Sequence, residues 1–554
     1  MELLAVQRLA IELSYGVFLQ ILAIGLLWTL LMLVLTKKKL VVLRLNRFAR
    51  WALLLVAVLP ILNYLFLIWR YFIAIDYADP AEANVVSVAW LFQGGRTLYP
   101  ALDAAERYIN NYGPFLYIVQ GLFLKLFQPS FWSSKLVGCL AGVASLGLLL
   151  LTLKHRLPWT IALFCGGVIS LGLLSLTSAS GLLASAFWVR PDSLLLFFTA
   201  IAVVAVLRGG QRTAVIVSAI ALGVSLNLKV IAFLHFVPLY AILLQRFGLS
   251  WTMGAMVGAV AIAIAPFVVV PTISFSNYAT WLLQVRQKGI NPEQIVKNLL
   301  WIGYVALPCA IASLHLYLIN PSSYFSWVRQ HRLYLCLLAI GVMTTAIVGA
   351  LRGALENNLL PFVPLFAGSL NQLLQRITRM PLWGNRKQFA AVLLSMNVTL
   401  AFVVSVTMLV YSTEAGFLAR LGNAPGAAAV QDLHRILQAY PNRSIGMGYG
   451  GTTSELPNYR PVLVFAGQPY LLDSASLMEM QAAGLKNTPD ATVDAIAACK
   501  TQIWLIPKNN KPFDLHNFYP PLQKLFNDQF RQVFRKRHRR IQQTQFYDVW
   551  ACKR

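Results

Sequence analysis

The sequence predicts an α-helical polytopic membrane protein of about twelve transmembrane helices, with a small C-terminal α/β domain outside the bilayer. Three observations predict it. Of 554 residues, 58% are hydrophobic and 12% are charged, about half the charged share of a soluble globular chain. Mean hydropathy is +0.63, and apolar runs long enough to cross a bilayer recur up to residue 411. Beyond residue 411 the pattern changes to short strand-like runs between amphipathic stretches.

The apolar runs place spans near 13–36, 51–75, 131–153, 158–178, 189–207, 212–227, 230–245, 251–271, 299–319, 333–351, 359–374 and 388–411. The first is followed by Lys37, Lys38 and Lys39 and has no small-residue cleavage site, so it reads as a span rather than a leader. Basic residues collect on the cytoplasmic side of membrane proteins. Setting Lys37–Lys39 inside puts 37–50, 154–157, 208–212, 246–250, 320–332 and 375–387 there too. All six segments carry Lys or Arg and none carries Asp or Glu. Both termini then lie outside the cytoplasm, as expected for a bacterial-type inner membrane. The net charge of +26 follows from this bias, so no nucleic-acid partner is expected.

The chain divides into a membrane module, 1–411, whose extracytoplasmic loop 76–130 is rich in acids, and a tail, 412–554. In the tail, Arg443–Tyr449, Pro461–Ala466, Thr501–Ile506 and Gln545–Trp550 read as strands, with amphipathic stretches near 425–440, 476–499 and 519–535. Cys499 and Cys552 either pair or remain two buried thiols. The basic run Arg531–Arg540 reads as a solvated turn or a contact to anionic lipid.

In the loop, Asp76, Asp79 and Glu82 are spaced by three. Asp79-Pro-Ala-Glu82 is complete as a helix start: Asp79 caps, Pro80 takes the first helical position and Glu82 closes a capping box. The same acids directly follow a span, at the depth of a lipid head group. Glycosyl transfer with inversion needs a carboxylate there to deprotonate the acceptor.

In order along the chain stand Asp79-Pro-Ala-Glu82, Gly94-Gly95 with Tyr99, Asp103, Tyr112-Gly-Pro-Phe-Leu-Tyr117, Arg190-Pro-Asp192, Asn227-Leu-Lys229, and Glu356-Asn-Asn-Leu-Leu-Pro361. This order resembles the GT-C superfamily of membrane glycosyltransferases, closest to its protein O-mannosyltransferase and aminoarabinose transferase branch. The likeness covers roughly 51–411, with one additional span ahead of the motif. Where the family has two histidines, this chain has Asn357 and Asn358.

The resemblance implies transfer of a sugar from a polyprenyl-phosphate donor to an acceptor outside the cytoplasm, with inversion. Asp79 would be the base, and Glu82 or Asp103 would assist. A divalent ion, held by Asp79 and Asp103, is the one cofactor it suggests. Tyr112, Arg190, Asp192, Lys229, Arg352, Glu356 and Asn357 would bind substrate. Arg190, Lys229, Arg286, Lys288 and Arg352 are the cations placed to meet a phosphate. Arg190 could instead pair with Asp192, and Arg352 could snorkel to the interface. Lys229, in an apolar stretch, carries a costly charge and reads as functional. The rival reading is a lipid-linked saccharide flippase or other envelope transporter, which would hold its charges near the midplane.

Overall fold

A computed structural model describes residues 47–108, 112–175, 186–352, 354, 356–379, 425–451, 456–485, 488–517 and 523–553. Five described helices are long and apolar enough to cross a membrane: Phe131–Lys154, Pro191–Arg208, Val230–Phe247, Leu249–Val269 and Pro321–Val348. Pro292–Gly303 and Val305–Leu314 make a sixth if counted as one span bent by 46°. Val58–Ile73, Trp159–Ser170 and Gln211–Leu226 are apolar but shorter. The chain is an integral membrane protein, although the expected twelve spans are not reached among the described residues. The expected spans 13–36 and 388–411 lie outside them. The expected span 359–374 is a 3-10 turn, Glu356–Phe362, leading into helix Val363–Arg379. Asn371 and Gln375 of that helix donate to the carbonyls of Leu153 and His155 at 2.7–2.9 Å, so one end of it is anchored by side-chain amides.

Helix starts follow the local chemistry of the sequence. Asp79 accepts from the Ala81 amide at 2.6 Å and forms a capping box with Glu82, with Pro80 next in the chain. Asn291-Pro292 and Asn320-Pro321 begin two further helices with the same cap-then-proline order. Helix Pro80–Gln93 stops at Gly94-Gly95, where Gly95 has φ +85°, a conformation that favours glycine. The basic segments 154–157, 208–212 and 246–250 gather at the opposite end of the bundle from the acids. Burial, then Arg156, Arg208 and Arg246, push the His155 imidazole below its ordinary value there.

Close approach sets the depth of the loops. A Cβ on Gly138 would lie 2.3 Å from the Trp188 carbonyl oxygen, so helix Phe131–Lys154 meets the backbone of 187–188 through a residue without a side chain.

The tail contains a four-stranded sheet, ordered β1-β2-β4-β3, from strands β1 (Ile445–Met447), β2 (Ile503–Pro507), β3 (His538–Gln543) and β4 (Tyr547–Cys552). β1 and β2 are parallel, with Ile445 opposite Ile503; β2–β4 and β3–β4 are antiparallel. Three of the four strand expectations hold. The fourth fails: Pro461–Ala466 lies in helix Arg460–Phe465, which is buried along its length. A short, mostly buried apolar run has no period to separate strand from helix, and Pro461 in the first helical turn favours the helix. The basic run is also not a turn. It crosses helix Asp528–Arg537 into the edge strand β3, and Arg531 pairs with Asp514 at 2.9 Å and with Asp528.

The tail docks on the acid-bearing loop. The Arg107 amide donates to Leu471 O and the Asp473 amide to Arg107 O, both at 2.7 Å. Tyr470 Oη donates to Asn84 Oδ1 at 2.9 Å, and Thr492 Oγ1 to Ala105 O at 2.9 Å. Behind this seam Arg460 and Asp473 form a buried ion pair.

Cys499 and Cys552 form a disulfide, with Cα atoms 6.1 Å apart and a sequence separation of 53. Closing a loop of this length removes chain entropy worth roughly 4 kcal/mol at most. Maleimide labelling of the detergent-solubilised protein should reach Cys499 and Cys552 only after reduction. Cys499→Ser should lower the stability of the tail by about 2–4 kcal/mol in a denaturant titration.

Candidate functional site

Three helix starts and one loop converge at one end of the bundle. Asp79 opens helix Pro80–Gln93, Arg190 sits at the cap of helix Pro191–Arg208, and Lys229 precedes the turn Val230–Ala232. Tyr112 is brought to them by backbone contacts. The Gly113 amide donates to Leu228 O at 3.0 Å, and the Phe115 amide to Asn227 O at 3.2 Å. A Cβ on Gly113 would fall 2.1 Å from Asn227 O, so only glycine allows this approach. The Gly94-Gly95…Tyr99 stretch supports the same placement. Leu98 N donates to Thr272 O, Asn277 Nδ2 to Tyr99 O, and Tyr99 Oη to Tyr112 O at 2.8 Å.

The charged groups form a chain of contacts. Arg190 Nη1 meets Asp79 Oδ2 at 3.0 Å, and its Nη2 donates to Tyr112 Oη at 3.2 Å. Arg190 Nε lies 3.7 Å from Asp192 Oδ2. Lys229 Nζ donates to Asp192 Oδ1 at 2.6 Å and to Asn358 Oδ1 at 3.0 Å, with the Tyr112 ring 5.8 Å away. Asn357 Nδ2 completes the shell of Asp192 at 2.9 Å. The Asp192 side chain is 0% exposed, whereas those of Arg190, Lys229 and Asp79 keep 9%, 12% and 15% of their surface. Two carboxylates and two cations therefore balance in a cleft that only the latter three reach. Burial lowers the Arg190 guanidinium, but Tyr112, Asp79 and Asp192 outweigh it and hold its pKa above the ordinary value. For Lys229, burial prevails over Asp192 and the net direction is down.

Six of the ten residues singled out from sequence meet here: Asp79, Tyr112, Arg190, Asp192, Lys229 and Asn357. The structure places the other four differently. Glu82 is fully buried and accepts from the amides of Ala78, Asp79 and Val189 and from the Tyr71 hydroxyl, so it cannot meet a substrate. Asp103 is exposed near Arg107 and shares no hydrogen bond or ion pair with Asp79 among the described residues. Glu356 accepts from Gln294 at 2.8 Å and ties down helix Pro292–Ile319. Arg352 stands on a neighbouring strip, where its amide donates to Gly289 O at 3.0 Å. There Lys288 pairs with Glu479 of the tail at 2.9 Å.

Sequence reasoning gave no site role to three further residues. Asn358 directs Lys229. Lys135, fully buried, donates to Tyr71 O at 2.9 Å and to Ala74 O at 2.7 Å; a lysine inside the apolar run 131–153 was the available signal. Glu479 had none, since its role depends on how the tail docks.

A divalent ion on Asp79 and Asp103 does not fit this arrangement. The two acids do not meet, and the Asp79 oxygens already face the Ala81 amide and a guanidinium. Among the described residues the one group spaced for a metal is Cys499, His538 and Cys552, and there the two sulfurs are bonded to each other.

No protein-family model matches the sequence, and no curated protein matches it. Solved structures do. ArnT from Cupriavidus metallidurans bound to undecaprenyl phosphate superposes with a TM-score of 0.55 at 13% identity, over 89% of this chain and 97% of that chain. The chain shares the fold of this ArnT. The apo state of the same ArnT gives a TM-score of 0.46 at 13% identity, over 82% of this chain and 93% of that chain. The Archaeoglobus fulgidus oligosaccharyltransferase AglB, in complex with an inhibitory peptide and a dolichol-phosphate, gives 0.42 at 12% identity, over 83% and 69%.

Removing one member of a buried charge group leaves its partners uncompensated, at a cost of about 3–5 kcal/mol. Asp192→Ala should therefore lower stability by that order, measured by denaturant unfolding in detergent. Asp103→Ala, on the exposed loop, should stay within about 0.5 kcal/mol of the parent.

Proposed function

We propose that the protein is a glycosyltransferase that moves a sugar from a polyprenyl-phosphate donor to an acceptor at the extracytoplasmic face, with inversion. The observation that carries this reading is the Asp79–Arg190 ion pair, joined through Asp192 to Lys229, at the mouth of a GT-C fold. The solved relative of the same fold binds undecaprenyl phosphate. The charges stand at helix starts at one end of the bundle, which favours an enzyme over a carrier with charges at its midplane.

The chemistry assigns roles by charge. Asp79 takes the proton of the acceptor hydroxyl or amine as that group attacks the anomeric carbon. The bond between that carbon and the phosphate oxygen breaks, and the lipid phosphate departs with the electron pair. One displacement by one acceptor inverts the anomeric centre. Arg190 offers two donors in a fork to the phosphate, and Lys229 offers a point charge. Tyr112, on Arg190, borders the same space. In the absence of donor, Asp79 occupies Arg190. A bound phosphate competes for the guanidinium and leaves the Asp79 carboxylate free for the acceptor.

The division into a membrane module, 1–411, and an extracytoplasmic tail, 412–554, belongs to this proposal. The disulfide supports that side for the tail, because such bonds persist in oxidising compartments. The separation of the basic loops from the acids supports the same orientation, with both termini outside the cytoplasm. The host would be a bacterial-type inner membrane.

Asp79→Asn tests the assignment with a labelled polyprenyl-phosphate sugar as donor and the product anomer read by NMR. Loss of a general base should lower transfer by about 10²–10⁴-fold. Binding of the lipid phosphate should persist and tighten, because Arg190 has lost a competing anion. Undiminished transfer by Asp79→Asn would remove Asp79 as the base.

A further inference from the structure

The buried carboxylate of Glu82 touches both segments that carry the ion pair. Its Oε1 accepts from the Ala78 amide at 2.9 Å and from the Asp79 amide at 3.0 Å. Its Oε2 accepts from the Val189 amide at 3.1 Å and from the Tyr71 hydroxyl. Asp79 and Val189 are far apart in sequence, and Val189 immediately precedes Arg190. One carboxyl group thus fixes the backbone beneath the acid with one oxygen and the backbone beneath the cation with the other.

The support continues outward. Lys135 caps the end of helix Arg47–Ile73 through Tyr71 O and Ala74 O, and its Nζ stands 4.5 Å from the Tyr71 ring centre. Tyr77 Oη lies 2.9 Å from Ser134 Oγ and holds the loop to helix Phe131–Lys154. A capping box needs only the bonds to Ala78–Asp79. The reach across to Val189 and Tyr71 goes beyond it.

We propose that Glu82 is a positioning residue that sets Asp79 against Arg190, and that it does so through its negative charge rather than its bulk. This rests on the transfer reaction proposed above and assigns the control of its geometry. Four donors aim at the two oxygens, and a carboxylate accepts from all four. Once protonated, the group carries a hydrogen of its own, and one of the four contacts must give way or, at the Tyr71 hydroxyl, reverse direction. The transfer rate then depends on the ionisation of a side chain that never meets substrate.

Burial pushes the Glu82 carboxyl up to about 7, against the lowering effect of the Tyr71 hydrogen bond, with Asp79 raising it further and the Val189 amide and Lys135 lowering it. The groups facing it are Tyr71 from helix Arg47–Ile73, Asp76, Tyr77 and Asp79 from the loop, Lys135 and Cys139 from helix Phe131–Lys154, and Arg190 across Asp79. The sign follows: the ionised form holds the geometry, so kcat rises as pH rises through about 7.

The test uses the full-length protein in detergent and compares Glu82→Gln and Tyr71→Phe with the parent. For Glu82→Gln, kcat should fall on the order of 100-fold, the usual consequence of a misplaced reacting group. The KM for the polyprenyl-phosphate sugar should hold, because Arg190 and Lys229 keep Asp192. The rise through neutral pH should flatten. Tyr71→Phe, the milder change, should move that rise to higher pH, since the lost hydrogen bond favoured the ionised form. A kcat and pH profile like the parent's in Glu82→Gln overturns the proposal, and so does a parallel loss of donor binding. Hydrogen–deuterium exchange gives a readout free of turnover. Glu82→Gln should speed exchange together in the peptides containing Asp79 and Val189, and unchanged exchange in either overturns the coupling. If the parent transfers nothing from this donor, the reaction assignment falls, while the exchange result still decides the role of Glu82.

Discussion

The site depends on one fully buried carboxylate. Asp192 has no access to solvent, and it meets the ammonium of Lys229, the amide of Asn357 and the Nε edge of Arg190. An isolated charge at such a depth costs several kcal/mol, and only a full set of donors offsets it. Satisfying Asp192 fixes where the two cations stand. Arg190 is left with its Nη face turned outward to Asp79 and Tyr112, and Lys229 is drawn in beside Asn358. The helix beginning at Pro191 thus organises charge with its first turn, while its remaining turns fill the bundle core with Leu196, Val203 and Val206.

The tail is part of the same construction. Main-chain bonds between Arg107 and the segment 471–473 clamp it onto the loop that carries Asp79. Asn84, inside the helix that Asp79 caps, meets Tyr470 and Ser476 of the tail. The buried Arg460–Asp473 pair lies directly behind these contacts, with Tyr470 sharing both partners. Breaking such a pair by removing one member exposes a bare charge to a dry interior. A seam of this kind holds the loop in one arrangement, and the short reach between Asp79 and Arg190 relies on that arrangement. Glu479 extends the contact to Lys288, on the strip beside Arg352.

Local chemistry made the helix starts legible. Asp79-Pro80 with Glu82 begins a helix as expected, and Asn291-Pro292 and Asn320-Pro321, whose helix starts were not expected, carry the same cap followed by a proline. The gathering of Arg190, Asp192, Lys229 and Asn357 followed from the order of motifs. What failed depended on three-dimensional context. Pro461–Ala466 looked like a strand because a six-residue apolar run has no period to read, and its surroundings made it a helix. The family resemblance implied Asp103 as a partner of Asp79, yet the loop turns toward the tail at Arg107 and leaves Asp103 exposed. Lys135 carried a signal, a charge inside an apolar run, but only the folded position of the Tyr71 and Ala74 carbonyls gives it its buried partners.

The balance of charges in the cleft bears on how the site can discriminate. Asp79 and Asp192 together offset Arg190 and Lys229, so the empty cleft has little net field to draw any passing anion. An anion that gains from entry must replace what Asp79 gives Arg190, with two donors in a fork and a second cation within reach. A phosphate has the oxygens for both, whereas a single carboxylate engaging Arg190 gains little over the Asp79 it displaces. Competition of this kind makes binding weaker than an unopposed arginine would give, and specificity is a difference of affinities rather than a maximum of one. The same exchange leaves Asp79 without its cation only while a phosphate is present. In the proposed transfer a free carboxylate beside the acceptor would then coincide with a leaving group in place, and the backbones that Glu82 holds together would keep both events within one cleft.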